Sequence, residues 1–165
     1  MEATIQVLNE LEKEGVISRY AIGGGVGAIF YIEPFLTYDL DVFVILPVST
    51  GGLLTLGPVY EALQKRGYLA EKECVQVEGV PVQFLPAYNA LVEEALSEAR
   101  SLTYGVTPTR VLQPEHLVGI MLQTGRDKDR ERFAAFLRQA NLDQERLQDI
   151  LKRYQLEGVW NQWKG

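Results

Sequence analysis

The sequence predicts an α/β core followed by a helical C-terminal region, and three observations carry that prediction. Short apolar runs punctuated by glycine and proline alternate with segments of helical periodicity as far as Leu112. From Pro114 onward only helical stripes recur. No internal repeat or low-complexity tract interrupts either part. The expected organisation is an α/β core over residues 1–112 and a helical region over 113–165 packed on it, together one compact unit.

Each element follows from local pattern. Residues 2–14 place Ile5, Leu8 and Leu11 at near-helical spacing, with Gly15 as the residue that ends the helix. A short strand in Arg19–Ile22 leads into a glycine turn and a short apolar helix that Pro34 stops. The next strand is Leu40–Leu46. Residues 49–58 are turn-rich, and Val59–Arg66 reads as a helix closed by Gly67. Residues 72–86 read as a β-hairpin with its turn at Glu78-Gly79, because apolar residues alternate on both sides. Asn89–Arg100 is helical, and Leu102–Leu112 holds one more extended piece. The C-terminal stripes are Leu117, Ile120, Met121; then Phe133, Phe136, Leu137, Ala140; then Leu147, Ile150, Leu151, Tyr154.

Bulk properties bound the function. Sixteen Lys and Arg stand against twenty-two Asp and Glu, for a formal charge of -6. That balance argues against an extended nucleic-acid surface, although half of the basic residues fall between Arg126 and Arg153. Cys74 and His116 are the only residues of their kinds, which excludes an intrachain disulfide and a Cys/His zinc cluster. Cys74 reads as a small core residue and His116 as a surface or half-buried one. Neither a signal-like start nor a membrane-length apolar run is visible, so the expectation is a cytoplasmic protein without a membrane partner.

Two motifs carry chemistry. Gly23, Gly25 and Ala28 satisfy the G-x-G-x-x-[GA] pattern after a strand, which in a dinucleotide-binding unit is followed by an acidic residue at the end of the second strand. Here Asp39 and Asp41 precede the apolar run, and the order speaks against that reading. Carboxylates at i and i+2 project from one face of a strand and can share one divalent ion or two close ones. Mg²⁺ favours such oxygen ligands and shares them with substrate phosphates; glycine turns let backbone N–H groups approach a phosphate. That combination suits metal-assisted transfer of a nucleotidyl group. A turn acid beside a strand-edge acid is the plain alternative, yet Asp41 lies between Leu40 and Val42-Phe43-Val44, where an unpaired charge is costly.

The segment Ile22-Gly23-Gly24 followed by TYDLDVFV resembles the minimal nucleotidyltransferases, whose pattern is hG[GS], a spacer and DhDh. Thirteen residues separate Gly24-Gly25 from Asp39. The later HLVGIMLQTGRDKDRERF resembles the Gly-Arg-x-Lys-Asp element of the branch that includes AbiEii-like toxins. The resemblance implies a nucleotidyltransferase fold, a small mixed β-sheet flanked by helices with a helical C-terminal region. It also implies Mg²⁺ or Mn²⁺ on Asp39 and Asp41 as catalytic metal ligands, and an NTP held by Gly23, Gly24, Gly25, Thr37, Arg126 and Lys128. It leaves the acceptor open among a protein side chain, a tRNA end and a small molecule, and the toxin branch implies a cognate partner protein in a toxin–antitoxin pair.

Two departures follow. Active relatives use a third carboxylate on a neighbouring strand, and the matching position here is Gln83; Glu73 and Glu78 would replace it only with a suitable hairpin register. Related sequences often carry a lysine where Met121 stands. The alternative is therefore a catalytically impaired nucleotide-binding or protein-interaction module. For Arg126 and Lys128 the plain reading is a solvated helix start capped by Thr124 or Asp127, with Asp129 orienting Arg126 or Lys128. Trp160 and Trp163 read as packing residues.

Overall fold

The computed structural model describes residues 1–48 and 55–165. The chain opens with α1 (Glu2–Lys13), β1 (Arg19–Gly23), α2 (Gly24–Ile29), β2 (Leu40–Ile45) and α3 (Gly57–Lys65). It continues through β3 (Ala70–Glu71), β4 (Cys74–Val77), β5 (Val80–Pro86), α4 (Ala90–Ser97), β6 (Arg100–Tyr104) and β7 (Thr107–Val111). Four helices complete it: α5 (Pro114–Thr124), α6 (Asp127–Gln139), α7 (Gln144–Arg153) and α8 (Glu157–Lys164). Part of the turn-rich stretch expected over 49–58 lies outside the described residues.

Among the described residues the strands form one sheet in the order β3-β4-β5-β2-β1-β7-β6. Neighbours are antiparallel except β2 with β5 and β1 with β7. Strand alternation sorts the side chains into two layers. Tyr20, Ile22, Leu40, Val42, Val44, Val82 and Phe84 face a core closed by Ile5, Leu8 and Leu11 of α1 and by Val59 and Leu63 of α3. Ala21 and Phe43 face the other core, formed with α4, α5 and the C-terminal helices through Leu91, Leu117, Phe136, Ile150 and Trp160. Asp41 and Gln83 share the second face by the same alternation.

Several expectations needed correction. α2 ends at Ile29 rather than running to Pro34: the N–H groups of Phe30 and Tyr31 turn back to Gly27 and Ala28 carbonyls in a tightened last turn. The single extended piece expected over Leu102–Leu112 is a hairpin of two strands, turned at Gly105 with φ 61°. Arg100 belongs to its first strand, not to α4. A short strand, β3, pairs with β4 and was not foreseen. The turn at Glu78-Gly79 has positive φ at both residues, 50° and 80°, as a tight two-residue hairpin turn requires.

α6 is joined to α5 by Gly125 and Arg126; Gly125 takes the left-handed conformation, φ 71°, and its N–H returns to the Met121 carbonyl at 2.9 Å. The start of α6 is not capped by Thr124 or Asp127. Instead the Asp129 carboxylate reaches back to accept the Arg126 backbone N–H at 3.1 Å. Trp160 and Trp163 both pack edge-on to Phe133 of α6, at 5.2 and 5.4 Å between ring centres.

Candidate functional site

One row of residues crosses the sheet at the end where β2 begins. Gly23 on β1 is paired with Asp41 on β2, and Asp41 with Gln83 on β5. The β4–β5 register, Val75 opposite Val82, continues the row to Cys74. Cys74 is half-buried on this face, and burial together with the Asp39 and Asp41 charges raises its thiol pKa. It is therefore a neighbour of the site rather than a core residue.

The glycines fit tightly around Asp41. Gly24 has φ +56°, and a Cβ there would overlap the Asp41 carboxylate. A Cβ on Gly25 would lie 2.7 Å from Thr37 Oγ1 and 2.9 Å from a terminal guanidinium nitrogen of Arg132. Backbone, hydroxyl, carboxylate and guanidinium thus converge on a few ångströms of space, which only glycine leaves open.

Asp41 is 8% exposed, and its Oδ1 is buried without a hydrogen-bond partner. Burial, followed by the neighbouring Asp39, pushes its pKa up to about 6; Lys128, Arg126 and Arg132 pull in the opposite direction. A buried, crowded carboxylate with an orphaned oxygen is what a divalent cation satisfies, and Asp39, whose charge reaches Asp41 from one residue before the strand, would add further oxygens. The donor set therefore fits Mg²⁺ or Mn²⁺.

A cavity of about 120 Å³ opens above the row, lined by Gly24, Asp41, Gln83, Tyr88, Arg126 and Arg132, with Leu117, Ile120 and Met121 of α5 as its apolar wall. Met121 is a core residue, as its stripe implied. A second cavity of about 390 Å³ lies alongside, between residues 32–36 and the Lys128, Arg132, Ala135 and Gln139 face of α6. Arg132 lines both.

The cations differ in their freedom. Arg126 is held by Asp129 through Nε at 2.8 Å and a terminal nitrogen at 3.1 Å, and Asp129 is itself buried. Lys128 and Arg132 have no acidic partner within 4.0 Å among the described residues. The Arg132 guanidinium lies 5.3 Å from the centre of the Phe35 ring. Sequence reasoning singled out Arg126 and Lys128 and missed Arg132, although its i+4 spacing from Lys128 puts both on one helix face. Glu78 bonds the Tyr68 hydroxyl at the hairpin turn, and Glu73 is exposed in the β3–β4 turn; neither lines the cavity.

A second polar cluster has a different character. Glu94, Glu98 and His116 bring three ligand atoms within 4.8 Å of one another. Contrary to expectation His116 is fully buried, its Nε2 2.9 Å from Glu94. Glu94 also accepts from Arg153 at 2.7 Å and Tyr154 at 3.0 Å, and Glu98 from Arg146 at 3.0 Å. The Arg153 bond leads the causes that lower the Glu94 pKa to about 2. With two arginines already neutralising its carboxylates, the cluster is an ion-pair network tying α4 and α5 to α7.

No family model and no curated protein sequence matches the chain. Solved structures do. The crystal structure of ANT(2″)-Ia in complex with adenylyl-2″-tobramycin matches at 14% identity and a TM-score of 0.53, over 94% of this chain and 98% of that one. An antigenic nucleotidyltransferase-like protein from Paracoccidioides brasiliensis matches at 17% identity and a TM-score of 0.53, over 96% and 91%. The solution structure of the antibiotic-resistance factor ANT(2″)-Ia gives 14% and 0.52, over 98% and 97%.

Proposed function

From the nucleotidyltransferase fold of this chain, we propose that it transfers a nucleotidyl group from an NTP to an acceptor with the help of a divalent cation. The observation that carries the reading is Asp41: buried, with an orphaned oxygen, pressed against the Gly24 turn and facing a cavity rimmed by Arg126 and Arg132. Asp39 and Asp41 would hold Mg²⁺ or Mn²⁺. Such an ion, when bound, neutralises charge developing on the reacting phosphoryl oxygens.

The chain's own groups do the rest. Gly23, Gly24 and Gly25 let the triphosphate approach the backbone, with Thr37 and Arg132 beside Gly25 to hydrogen-bond it. Lys128, one turn before Arg132 on α6, adds a cation without an acidic partner among the described residues. Arg126, fixed by Asp129, acts more as a rigid wall than as a grip. Positioning and charge neutralisation are the main requirements of phosphoryl-transfer chemistry, and these groups supply both. The Gly125–Asp129 element supports the toxin-like branch, and with it a cognate partner protein, on the basis of residue pattern alone.

A second reading is a nucleotide-binding module without turnover, favoured by the uncharged Gln83 beside Asp41. The test is transfer of label from each NTP, with Mg²⁺ or Mn²⁺ and cell extract, beside an Asp39→Asn/Asp41→Asn variant. Transfer lost in the variant supports the enzyme. Metal-dependent binding without transfer supports the module. Absence of any metal-dependent NTP binding removes both.

A further inference from the structure

We infer that the acceptor is a small-molecule phosphomonoester, not an alcohol; the inference rests on the nucleotidyltransferase reading and specifies its second substrate. A hydroxyl acceptor must lose a proton as its oxygen bonds to the α-phosphorus, and that needs a base beside the metal. Gln83 occupies the strand position paired with Asp41, and an amide accepts no proton near neutral pH. The carboxylates that line the first cavity, Asp41 and Asp129, are committed elsewhere, as is the neighbouring Asp39. Asp39 and Asp41 are the metal ligands of the proposed site, and Asp129 is spent on Arg126 through three hydrogen bonds.

A phosphomonoester brings an oxygen that is already ionised. That oxygen attacks the α-phosphorus of the NTP, a P–O–P bond forms, and the bond between the α-phosphorus and its bridging oxygen to the β-phosphorus breaks. The electron pair leaves with pyrophosphate and no proton is transferred. The second cavity supplies the matching recognition. Lys128 and Arg132 line it without acidic partners, and the Phe35 ring supports Arg132. Glu33 and Glu131 also line it but are exposed and lie beyond 4.0 Å from both cations. Its volume of about 390 Å³ suits a sugar phosphate, and the chain's net charge of -6 disfavours a phosphorylated nucleic-acid end.

The experiment measures NTP binding by calorimetry in Mg²⁺ and, separately, pyrophosphate release with matched acceptors: glycerol phosphate against glycerol, glucose phosphate against glucose, and acetate. Release faster by about a hundredfold or more with the phosphomonoester of a pair is expected, the scale of a missing general base. Equal or faster release with the alcohols, or release with acetate alone, overturns the acceptor class and leaves the nucleotidyltransferase reading standing. NTP binding with no release from any acceptor overturns it in favour of the non-catalytic module, and no metal-dependent NTP binding ends both. A Gln83→Glu variant, its folding checked by circular dichroism, gives an independent arm. It should raise transfer to glycerol and to water at least about tenfold; no gain in a folded variant counts against the role given to Gln83.

Discussion

Asp41 is a liability to the metal-free fold. Its folded pKa of about 6 lies above the ordinary 3.8, so the folded chain holds a proton more tightly than the unfolded one. The penalty is absent below about pH 4, grows as pH rises and is complete above about pH 6; two pKa units correspond to ~3 kcal/mol at most. Asp41→Asn should therefore raise the Tm of metal-free protein at pH 7.5 and leave it nearly unchanged at pH 4. The same variant should lose the Tm increase that Mn²⁺ gives the parent, as read by calorimetric scans. Arg132 permits a second prediction. Arg132→Ala should weaken NTP binding by about ten- to a hundredfold, the scale of a charge-assisted hydrogen bond, while Arg126→Ala affects stability more than affinity. In the candidate site, the residues placed by their neighbours in sequence were legible: the glycine turn and the two aspartates sit within one strand–helix–strand unit. Arg132 was not, because only the docking of a helix from the other end of the chain brings it to Gly25.

Element boundaries show where local pattern runs out. The hairpin at Glu78-Gly79 was readable because its turn chemistry and alternation agree. The one at Gly105 was not, since two of the three buried positions in Thr107–Val111 are threonines, which hides the alternation. α6 is the element on which the site depends most. It pins the loop before β2 at three points: Gln139 accepts the Glu33 N–H at 2.8 Å, Arg132 covers Phe35, and Phe136 meets Tyr31 at 6.5 Å between ring centres. Its N-terminal turn relies on the buried Asp129, whose pairing with Arg126 the sequence suggested and whose reach back to the Arg126 N–H follows the capping-box pattern. Asp129→Ala should cost about 1–2 kcal/mol in denaturant unfolding and should loosen Arg126, detectable as faster amide exchange across the first turn of α6.

At the scale of the molecule, two cores on opposite faces of one sheet both carry stability, but only one of them backs the candidate site. Phe136, fully buried on the site face, and Leu8, fully buried on the other, are comparable losses. Phe136→Ala should cost about 3–5 kcal/mol and Leu8→Ala about 2–5 kcal/mol. Only the former should also weaken NTP binding, because it shifts the helix that carries Arg132. The ion-pair network between α4 and α7 adds an acid limit. Glu94 has its pKa lowered to about 2, so its contribution is present above about pH 4.5 and is lost as pH falls toward 2. Glu94→Gln should lower the Tm at pH 7 and flatten its fall in acid.

The row that builds the site spans β1, β2 and β5, yet β1 is flanked by β7, whose Val111 pairs with Ile22 from far along the chain, and its guanidinium arrives later still, with α6. A ribosome releases these parts in order, so the acidic pair emerges long before Arg132. During synthesis the chain therefore passes through a stage in which the carboxylates exist but the guanidinium assigned to the triphosphate in the proposed site does not. In the proposed reaction a triphosphate is held only once α6 has docked, so transfer would report on the seating of that helix.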